Sequence, residues 1–198
     1  MNHELASGKI KALVIGGSAG AVGALLAILP PLPRDYPLAV MVVVHLPPDP
    51  NSILATLLHG RCQIPVKEAE DKEPICAGTV YLAPPNYHLQ VEPDFHLSLS
   101  QDEPVHFSRP SIDVLFETAA DAYGDSLAGV VLTGASRDGA RGLRAIGEAG
   151  GVVIVQTPAS AEAATMPQAA LDACPAARTL DLPELAAALQ TDLVSAPT

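Results

Sequence analysis

The chain has 198 residues, of which 48% are apolar and only 17% are charged, and its formal net charge is −11. That length fits one large core better than two. The acidic balance argues against nucleic acid or an anionic membrane as a partner, because both need clustered Lys and Arg. The three widely spaced cysteines predict reduced, buried thiols, and argue against a disulfide framework or a C-x-x-C metal site. The composition is typical of a cytoplasmic enzyme whose parallel sheet is buried on both faces.

The first half of the chain alternates apolar strands with helices. The predicted elements are strands over residues 11–15, 38–44 (at the sheet centre) and 64–66, and helices over 21–29 and from about 50 to 59. The uncharged stretch 12–33 also imitates a signal peptide or a membrane span. Gly16, Gly17 and Gly20 divide that stretch and prolines close it, so we predict a buried strand–turn–helix unit without membrane insertion.

The second half begins with three short segments over residues 79–83, 87–91 and 96–100, which we predict to form an antiparallel ribbon. Ser111 is the predicted N-cap of a helix that ends at about residue 123. The remaining predicted elements are strands over 127–133 and 151–155, and helices over 139–149, 161–173 (interrupted at Pro167) and 184–193. This order predicts an α/β fold: a doubly wound, mostly parallel, Rossmann-like sheet flanked by helices, with an added antiparallel β-hairpin. We expect a single domain over 1–198, with its core from about 9 to 194.

Three potential members of a hydrolytic triad follow three predicted parallel strands. Ser18 lies in Gly-Gly-Ser-Ala-Gly after the first strand, His45 follows the second, and Asp138 comes just past the strand at 127–133. Chemistry in an open parallel sheet collects outside the carboxyl ends of the strands. A serine, an imidazole and a carboxylate at that edge are the parts of a nucleophilic relay.

Each of the three residues alone also has a purely structural explanation. Ser18 and Asp138 are common helix-capping types before a helix, and His45 precedes a proline turn. All three together at strand ends favour the catalytic interpretation. The other histidines have no zinc-ligand spacing, and no metal or cofactor is expected.

The residue types predict the roles. His45 takes the proton of the weakly nucleophilic Ser18 hydroxyl, and Asp138 accepts the other imidazole N–H. Backbone N–H groups must hold the oxyanion; we expect Ala135 to donate one, and Ala19, at the helix start, to be a second source.

Several motifs resemble the chemoreceptor glutamate methylesterases, the CheB family. They are the serine loop at 14–20, His-Leu-Pro-Pro at 45–48, segments 66–71 and 80–84, Arg-Pro-Ser-Ile-Asp-Val-Leu-Phe at 109–116, and Leu-Thr-Gly at 132–134 with Asp-Gly-Ala at 138–140. The resemblance spans roughly 12–182 and assigns Ser18 as nucleophile, His45 as base and Asp138 as the orienting acid. The sequence of this chain departs from the family pattern at Ala21, where a glycine is usual, and at Ala135-Ser136-Arg137, where Met-Gly-Asn is common.

The resemblance implies hydrolysis of the γ-methyl ester on receptor glutamates, with release of methanol, and in some members deamidation of receptor glutamine. It implies the cytoplasmic domain of a methylated chemoreceptor as partner, with other chemosensory signalling proteins as further candidates. Typical members also carry a phosphorylatable receiver domain, for which only about ten residues precede the first predicted strand here. We therefore expect a catalytic domain without a receiver domain, either a stand-alone esterase or an excised domain.

Arg109 precedes the helix that starts near Ser111. One interpretation places it at the border of the cleft, in contact with the acidic receptor surface. The other is a surface arginine paired with a carboxylate such as Asp113.

Two other function classes compete. A nucleotide-binding oxidoreductase is suggested by Gly16, Gly17, Gly20 and Gly23 after a strand, but Ser18 occupies the second glycine of G-x-G-x-x-G and His45 replaces the acidic ribose ligand. A non-catalytic signalling module is the second rival, and the complete set of triad residues argues against it.

Overall fold

The computed structural model describes residues 10–45 and 53–194. Its strands are β1 (Ala12–Gly17), β2 (Ala39–Val44), β3 (Val66–Glu68), β4 (Val80–Leu82), β5 (His88–Val91), β6 (Leu97–Ser100), β7 (Leu127–Val131), β8 (Val152–Gln156) and β9 (Arg178–Leu180). Its helices are α1 (Ala21–Ile28), α2 (Ile53–His59), α3 (Ile112–Tyr123), α4 (Ala140–Glu148), α5 (Thr165–Ala173) and α6 (Leu182–Gln190).

One parallel sheet organises the fold. Its seven strands run in the order β3-β4-β2-β1-β7-β8-β9, and their pairings are parallel. Strands β5 and β6 form a separate antiparallel pair. Successive strands are added on one side of β1 and then, from β7 onward, on the other, so the order reverses beside β1. The predicted doubly wound sheet with an added hairpin is confirmed.

Both faces of the sheet are covered, which is why its strands are almost uniformly apolar. Side chains alternate between the faces along each strand: Leu13 and Ile15 pack with α1, α2 and α6, whereas Ala12 and Val14 pack with α3, α4, α5 and the hairpin. All six residues of β1 are buried. The sheet therefore holds the first residue beyond β1 on a rigid base.

Two strand assignments from the sequence were wrong. The segment 79–83 was expected in the antiparallel ribbon, but β4 lies in the main sheet, parallel to β2 and β3; the ribbon has two strands. Strand β9 was not predicted, because it is a three-residue edge strand whose Arg178 and Thr179 lack an apolar signature.

Two helix assignments also need correction. Helix α5 begins at Thr165, and Pro167 lies in its first turn, where proline is tolerated, so it does not interrupt the helix. Ser111 does precede α3 as the N-cap residue, but its side chain makes no capping hydrogen bond. The predicted start of α2 near residue 50 lies outside the described residues.

The cysteines are free, as expected, but Cys76 is exposed, and Cys62 and Cys174 are only partly buried. The prediction of buried thiols was therefore wrong. Among the helices of residues 10–45 and 53–194, none is long and apolar enough to cross a membrane.

Candidate active site

Ser18 is the first residue beyond β1, beside the point where the strand order reverses. Its N–H donates to the carbonyl of Thr133 at 2.9 Å, and its own carbonyl accepts the N–H of Ala21 at 2.9 Å. The following turn reaches helix α1 through Gly20, whose φ of 80° favours glycine. These bonds fix the main chain of Ser18, while its side chain stays partly exposed.

His45 leaves the neighbouring strand at the same level. Gly17 pairs with Val44 across β1 and β2, so Ser18 and His45 follow paired residues whose strands lie about 4.8 Å apart. The N–H of His45 also donates to the carbonyl of Gly17 at 3.1 Å. The sheet register thus brings the main chains of Ser18 and His45 next to each other.

The imidazole of His45 is joined to Asp138. Nε2 of His45 lies 2.8 Å from Oδ2 of Asp138, and the histidine side chain is 12% exposed. An ionised carboxylate only accepts hydrogen bonds, so Nε2 carries the proton and Nδ1 the lone pair. Among the described residues, the imidazole makes no side-chain hydrogen bond other than this one. The Ser18 hydroxyl is therefore not hydrogen-bonded to Nδ1 in this structure, and such contacts commonly tighten when substrate binds.

Asp138 is fully buried, yet four donors surround its carboxylate. Oδ1 accepts from the Ser111 hydroxyl at 2.9 Å and the N–H of Asp113 at 3.0 Å; Oδ2 accepts from the N–H of Ile112 at 2.7 Å as well as from His45. Burial alone would raise the pKa of Asp138, but the hydrogen bond from His45 and those from the N–H groups of Asp113 and Ile112 outweigh it and lower the pKa. The carboxylate is therefore ionised at neutral pH.

Neither Ser18 nor Asp138 is the N-cap of the helix that follows it in the chain. Asp138 does cap a helix, but the helix is α3 rather than α4, which follows it in the chain. Gly20, not Ser18, is the N-cap of α1. Ser111 was predicted as the cap of α3; its hydroxyl instead donates to Asp138, and its N–H donates to Nδ1 of the buried His88 at 3.1 Å.

The turn after β7 lies directly against Ser18. A Cβ built on Gly134 would come within 2.9 Å of the Ser18 Cβ, so only glycine allows this approach. Thr133 braces the turn, because its hydroxyl donates to the Ala19 carbonyl at 2.9 Å and its N–H donates to Gln156 Oε1 at 2.9 Å. Sequence reasoning missed Gln156, a buried glutamine at the end of an apolar strand, which is itself a recognisable signal.

The two candidate oxyanion donors lie next to the contact between Ser18 and Gly134, because Ala19 follows Ser18 and Ala135 follows Gly134. Ala19 and Ala135 are both exposed, and neither N–H donates to another group in the part of the chain that the structure describes. Unpaired N–H groups next to a nucleophile are what an oxyanion site requires. Their role in catalysis stays a prediction.

A cavity of about 280 Å³ opens beside His45. Apolar side chains dominate its lining, which includes Val44, Leu54, Pro85, Phe107 and Pro110. Phe107 is completely exposed at its rim. This mixture of an apolar wall and a polar reactive edge is typical of a small-molecule or side-chain site.

Arg109 also lines this cavity, but its guanidinium is largely occupied. It donates to Asn86 Oδ1 at 2.8 and 3.1 Å and to the carbonyls of Gln101 and Asp102 at 2.8 and 3.0 Å. The suggested pairing with Asp113 is wrong, because the basic side chains near that carboxylate are those of His106 and Arg141. Arg109 ties three loop positions together at the cavity wall.

Comparison with known proteins identifies the family of the chain. The family model for the CheB methylesterase matches residues 13–189. A putative protein-glutamate methylesterase/protein-glutamine glutaminase of Leptospira interrogans (strain Fiocruz L1-130) is 48% identical over 186 residues, which cover 94% of this chain and 93% of that protein. The protein-glutamate methylesterase/protein-glutamine glutaminase of Paraburkholderia xenovorans is 38% identical, over 93% of this chain and 52% of its own length.

A solved structure shares the fold. The crystal structure of the Thermotoga maritima CheB methylesterase catalytic domain superposes with a TM-score of 0.86 at 31% identity, covering 91% of this chain and 97% of that one. The family model and these relatives extend over nearly all of the chain, including the three strand ends that carry Ser18, His45 and Asp138. The chain therefore belongs to the CheB methylesterase family.

Proposed function

We propose that this chain is a protein-glutamate methylesterase that hydrolyses γ-methyl esters of glutamate side chains on chemoreceptors and releases methanol. Its partner is the cytoplasmic domain of a methylated receptor, and the chain acts as a cytoplasmic catalytic domain. The observation that carries the mechanism is the 2.8 Å contact of Asp138 with His45. His45 follows the strand next to the one that Ser18 follows, and the chain belongs to this family.

In the first half-reaction the Ser18 oxygen attacks the ester carbonyl while Nδ1 of His45 takes the hydroxyl proton. The tetrahedral intermediate collapses, the ester C–O bond breaks, and His45 returns the proton to the departing methoxide, which leaves as methanol. Asp138 stabilises the imidazolium that exists between these two transfers. The N–H groups of Ala135 and Ala19 stabilise the oxyanion.

In the second half-reaction a water molecule, instead of the Ser18 hydroxyl, is the nucleophile. His45 accepts a proton from water, the hydroxide attacks the glutamyl ester of Ser18, and the proton passes to the Ser18 oxygen as that bond breaks. The products are receptor glutamate and free enzyme. The apolar cavity beside His45 accommodates the methyl group and the aliphatic part of the substrate side chain.

Deamidation of receptor glutamine is a second activity of the same site. The relatives' names combine methylesterase and glutaminase, and the chemistry differs only in the leaving group, which is ammonia instead of methanol. The same Ser18 acyl intermediate serves both reactions.

Replacement of the nucleophile tests the proposal. Ser18→Ala is expected to abolish methanol release from methylated receptor while the far-UV CD spectrum and the melting temperature stay those of the wild type. A phosphonate that reacts with activated serines should label the wild type at Ser18 and leave the variant unlabelled. Methanol release by the variant at a near-wild-type rate would show that another residue is the nucleophile.

A further inference from the structure

Asp113 is a buried carboxylate directly behind the triad that the mechanism above does not use. Its side chain is fully buried, and its Oδ1 accepts the N–H of Gly139 at 3.0 Å and the N–H of Gly142 at 2.7 Å. Gly139 is the residue immediately after Asp138. The Asp113 side chain therefore forms a hydrogen bond with the peptide group that follows Asp138.

The relationship between Asp113 and Asp138 is reciprocal. Asp138 precedes α4 and accepts the first N–H groups of α3, whereas Asp113 lies in the first turn of α3 and accepts N–H groups at the start of α4. Each helix start leaves unpaired N–H groups and a partial positive charge. The two positive helix ends stabilise two carboxylates that would otherwise repel each other.

The second oxygen of Asp113 distinguishes it from an ordinary cap. Within the described residues Oδ2 is buried and accepts no hydrogen bond; His106 Nε2 lies at 3.3 Å and Arg141 Nε at 3.9 Å. A buried carboxylate with an unused oxygen costs stability, which a neutral capping residue would avoid.

A cation site is a poor explanation for this cluster. Ligand atoms of His106, Asp113 and Asp138 do lie within 4.8 Å of one another. Both Asp138 oxygens, however, already accept two hydrogen bonds each. A cation would find free lone pairs only on Asp113 and His106.

We propose that Asp113 is a positioning residue for the triad: by holding the N–H groups of Gly139 and Gly142, it keeps the Asp138 carboxylate within hydrogen-bonding distance of His45. This inference rests on the proposed methylesterase function. Small displacements of a catalytic group slow the reaction strongly, since a displacement of about 1 Å can lower the rate 100-fold.

Two substitutions at one position separate hydrogen bonding from charge. Asp113→Ala removes the acceptor. With the concentration of active sites determined by phosphonate titration, we expect kcat to fall about 10- to 100-fold. KM should change less than about twofold, because Asp113 does not touch substrate. Asp113→Asn keeps a carbonyl oxygen for both N–H groups and is expected to retain most of kcat. Should the alanine variant not fold, Asp113→Ser, whose hydroxyl is too short to reach both N–H groups, takes its place.

Glu117→Ala is the matched control. Glu117 lies one turn further along α3 and pairs with Arg141 of α4 at the surface, so its loss loosens the same helix contact without touching Asp138. We expect unchanged kcat. The inference is overturned if Asp113→Ala retains at least half of kcat, or if Glu117→Ala lowers kcat as much. Ser18→Ala, run in the same assay, detects a failure of the methylesterase function itself.

Discussion

Nε2 of His45 and Oδ2 of Asp138 lie 2.8 Å apart although 93 positions separate them in the chain. Two unrelated parts of the fold create this contact. The sheet register carries His45 to the edge beside Ser18, and the packing of α3 against α4 turns Asp138 toward it.

Asp138→Asn should inactivate the enzyme. An amide nitrogen facing His45 and the N–H of Ile112 replaces an acceptor with a donor, so the imidazole loses its orienting partner. We expect kcat to fall by roughly 10⁴ and the free energy of unfolding by about 1 kcal/mol, from the weakened cap on α3. Methanol release and urea titration measure the two effects; a loss below tenfold in kcat would contradict the assigned role.

The oxyanion assignment is tested by removing one N–H. Ala135→Pro deletes the backbone donor of this exposed residue, and we expect a 10²- to 10³-fold decrease in kcat. Ala135→Gly keeps the N–H and should retain activity. A proline variant that melts like the wild type and keeps its full kcat would exclude Ala135 as a donor.

The close approach of Gly134 to Ser18 predicts a strong effect from one methyl group. In Gly134→Ala the new Cβ would lie 2.7 Å from Met166 Sδ and 2.9 Å from Ser18 Cβ, so either the serine loop or the turn that carries residue 134 must shift. We expect activity to drop at least about 10-fold.

Gly23→Ala is the control for that substitution. No atom lies within 4 Å of its added Cβ, and alanine in a helix interior is favoured over glycine by about 0.5–1 kcal/mol. We expect normal turnover and a slightly higher melting temperature. Equal loss of activity in both variants would refute the steric explanation.

Arg109 is expected to act through its fork of N–H groups rather than through its charge. Lysine cannot reproduce that fork, so Arg109→Lys and Arg109→Ala should lower the melting temperature by similar amounts. Each substitution should lower the free energy of unfolding by about 1 kcal/mol. KM toward the receptor discriminates the alternatives. If lysine preserves a wild-type KM that alanine raises, the positive charge contacts the receptor.

The pH dependence of stability should change in Asp113→Asn. Burial, as the largest cause, raises the pKa of Asp113; the N–H of Gly142 opposes the rise and the Asp138 charge adds to it. A carboxyl whose folded-state pKa is raised destabilises the fold above that pKa, and the penalty vanishes as the pH falls below the unfolded value of about 3.9. The asparagine variant should therefore melt higher than the wild type at pH 7, with an advantage that shrinks toward pH 4. Lower stability of the variant at pH 7 would show that the charge is stabilising.

Asp138 contributes to the same curve with the opposite sign. Its lowered pKa stabilises the fold above the unfolded pKa, and this contribution is lost as the pH falls through the folded-state value. Asp138→Asn should therefore flatten the acid side of the wild-type melting profile.

The amino-acid pattern by itself determined the sheet and the edge at which Ser18 and His45 lie. Uncharged runs such as residues 39–44 read as buried parallel strands because both faces are covered, and parallel strands bring their carboxyl ends to one edge. That is why Ser18 and His45 could be predicted as neighbours. Short elements failed: β4 was placed in the ribbon and β9 was missed, because three residues carry too little periodicity.

Only the tertiary structure decided how Asp138 is held. Its partners Ser111, Ile112 and Asp113 lie 25 to 27 positions away, and nothing in local spacing connects them, since the contact depends on how α3 packs against α4. From the sequence, the structural alternative to a catalytic Asp138 was therefore a cap on the helix that follows it, whereas its carboxylate caps α3. The physical reason is that helix ends are satisfied by whichever acceptor the packing brings near, and packing is a property of the assembled fold.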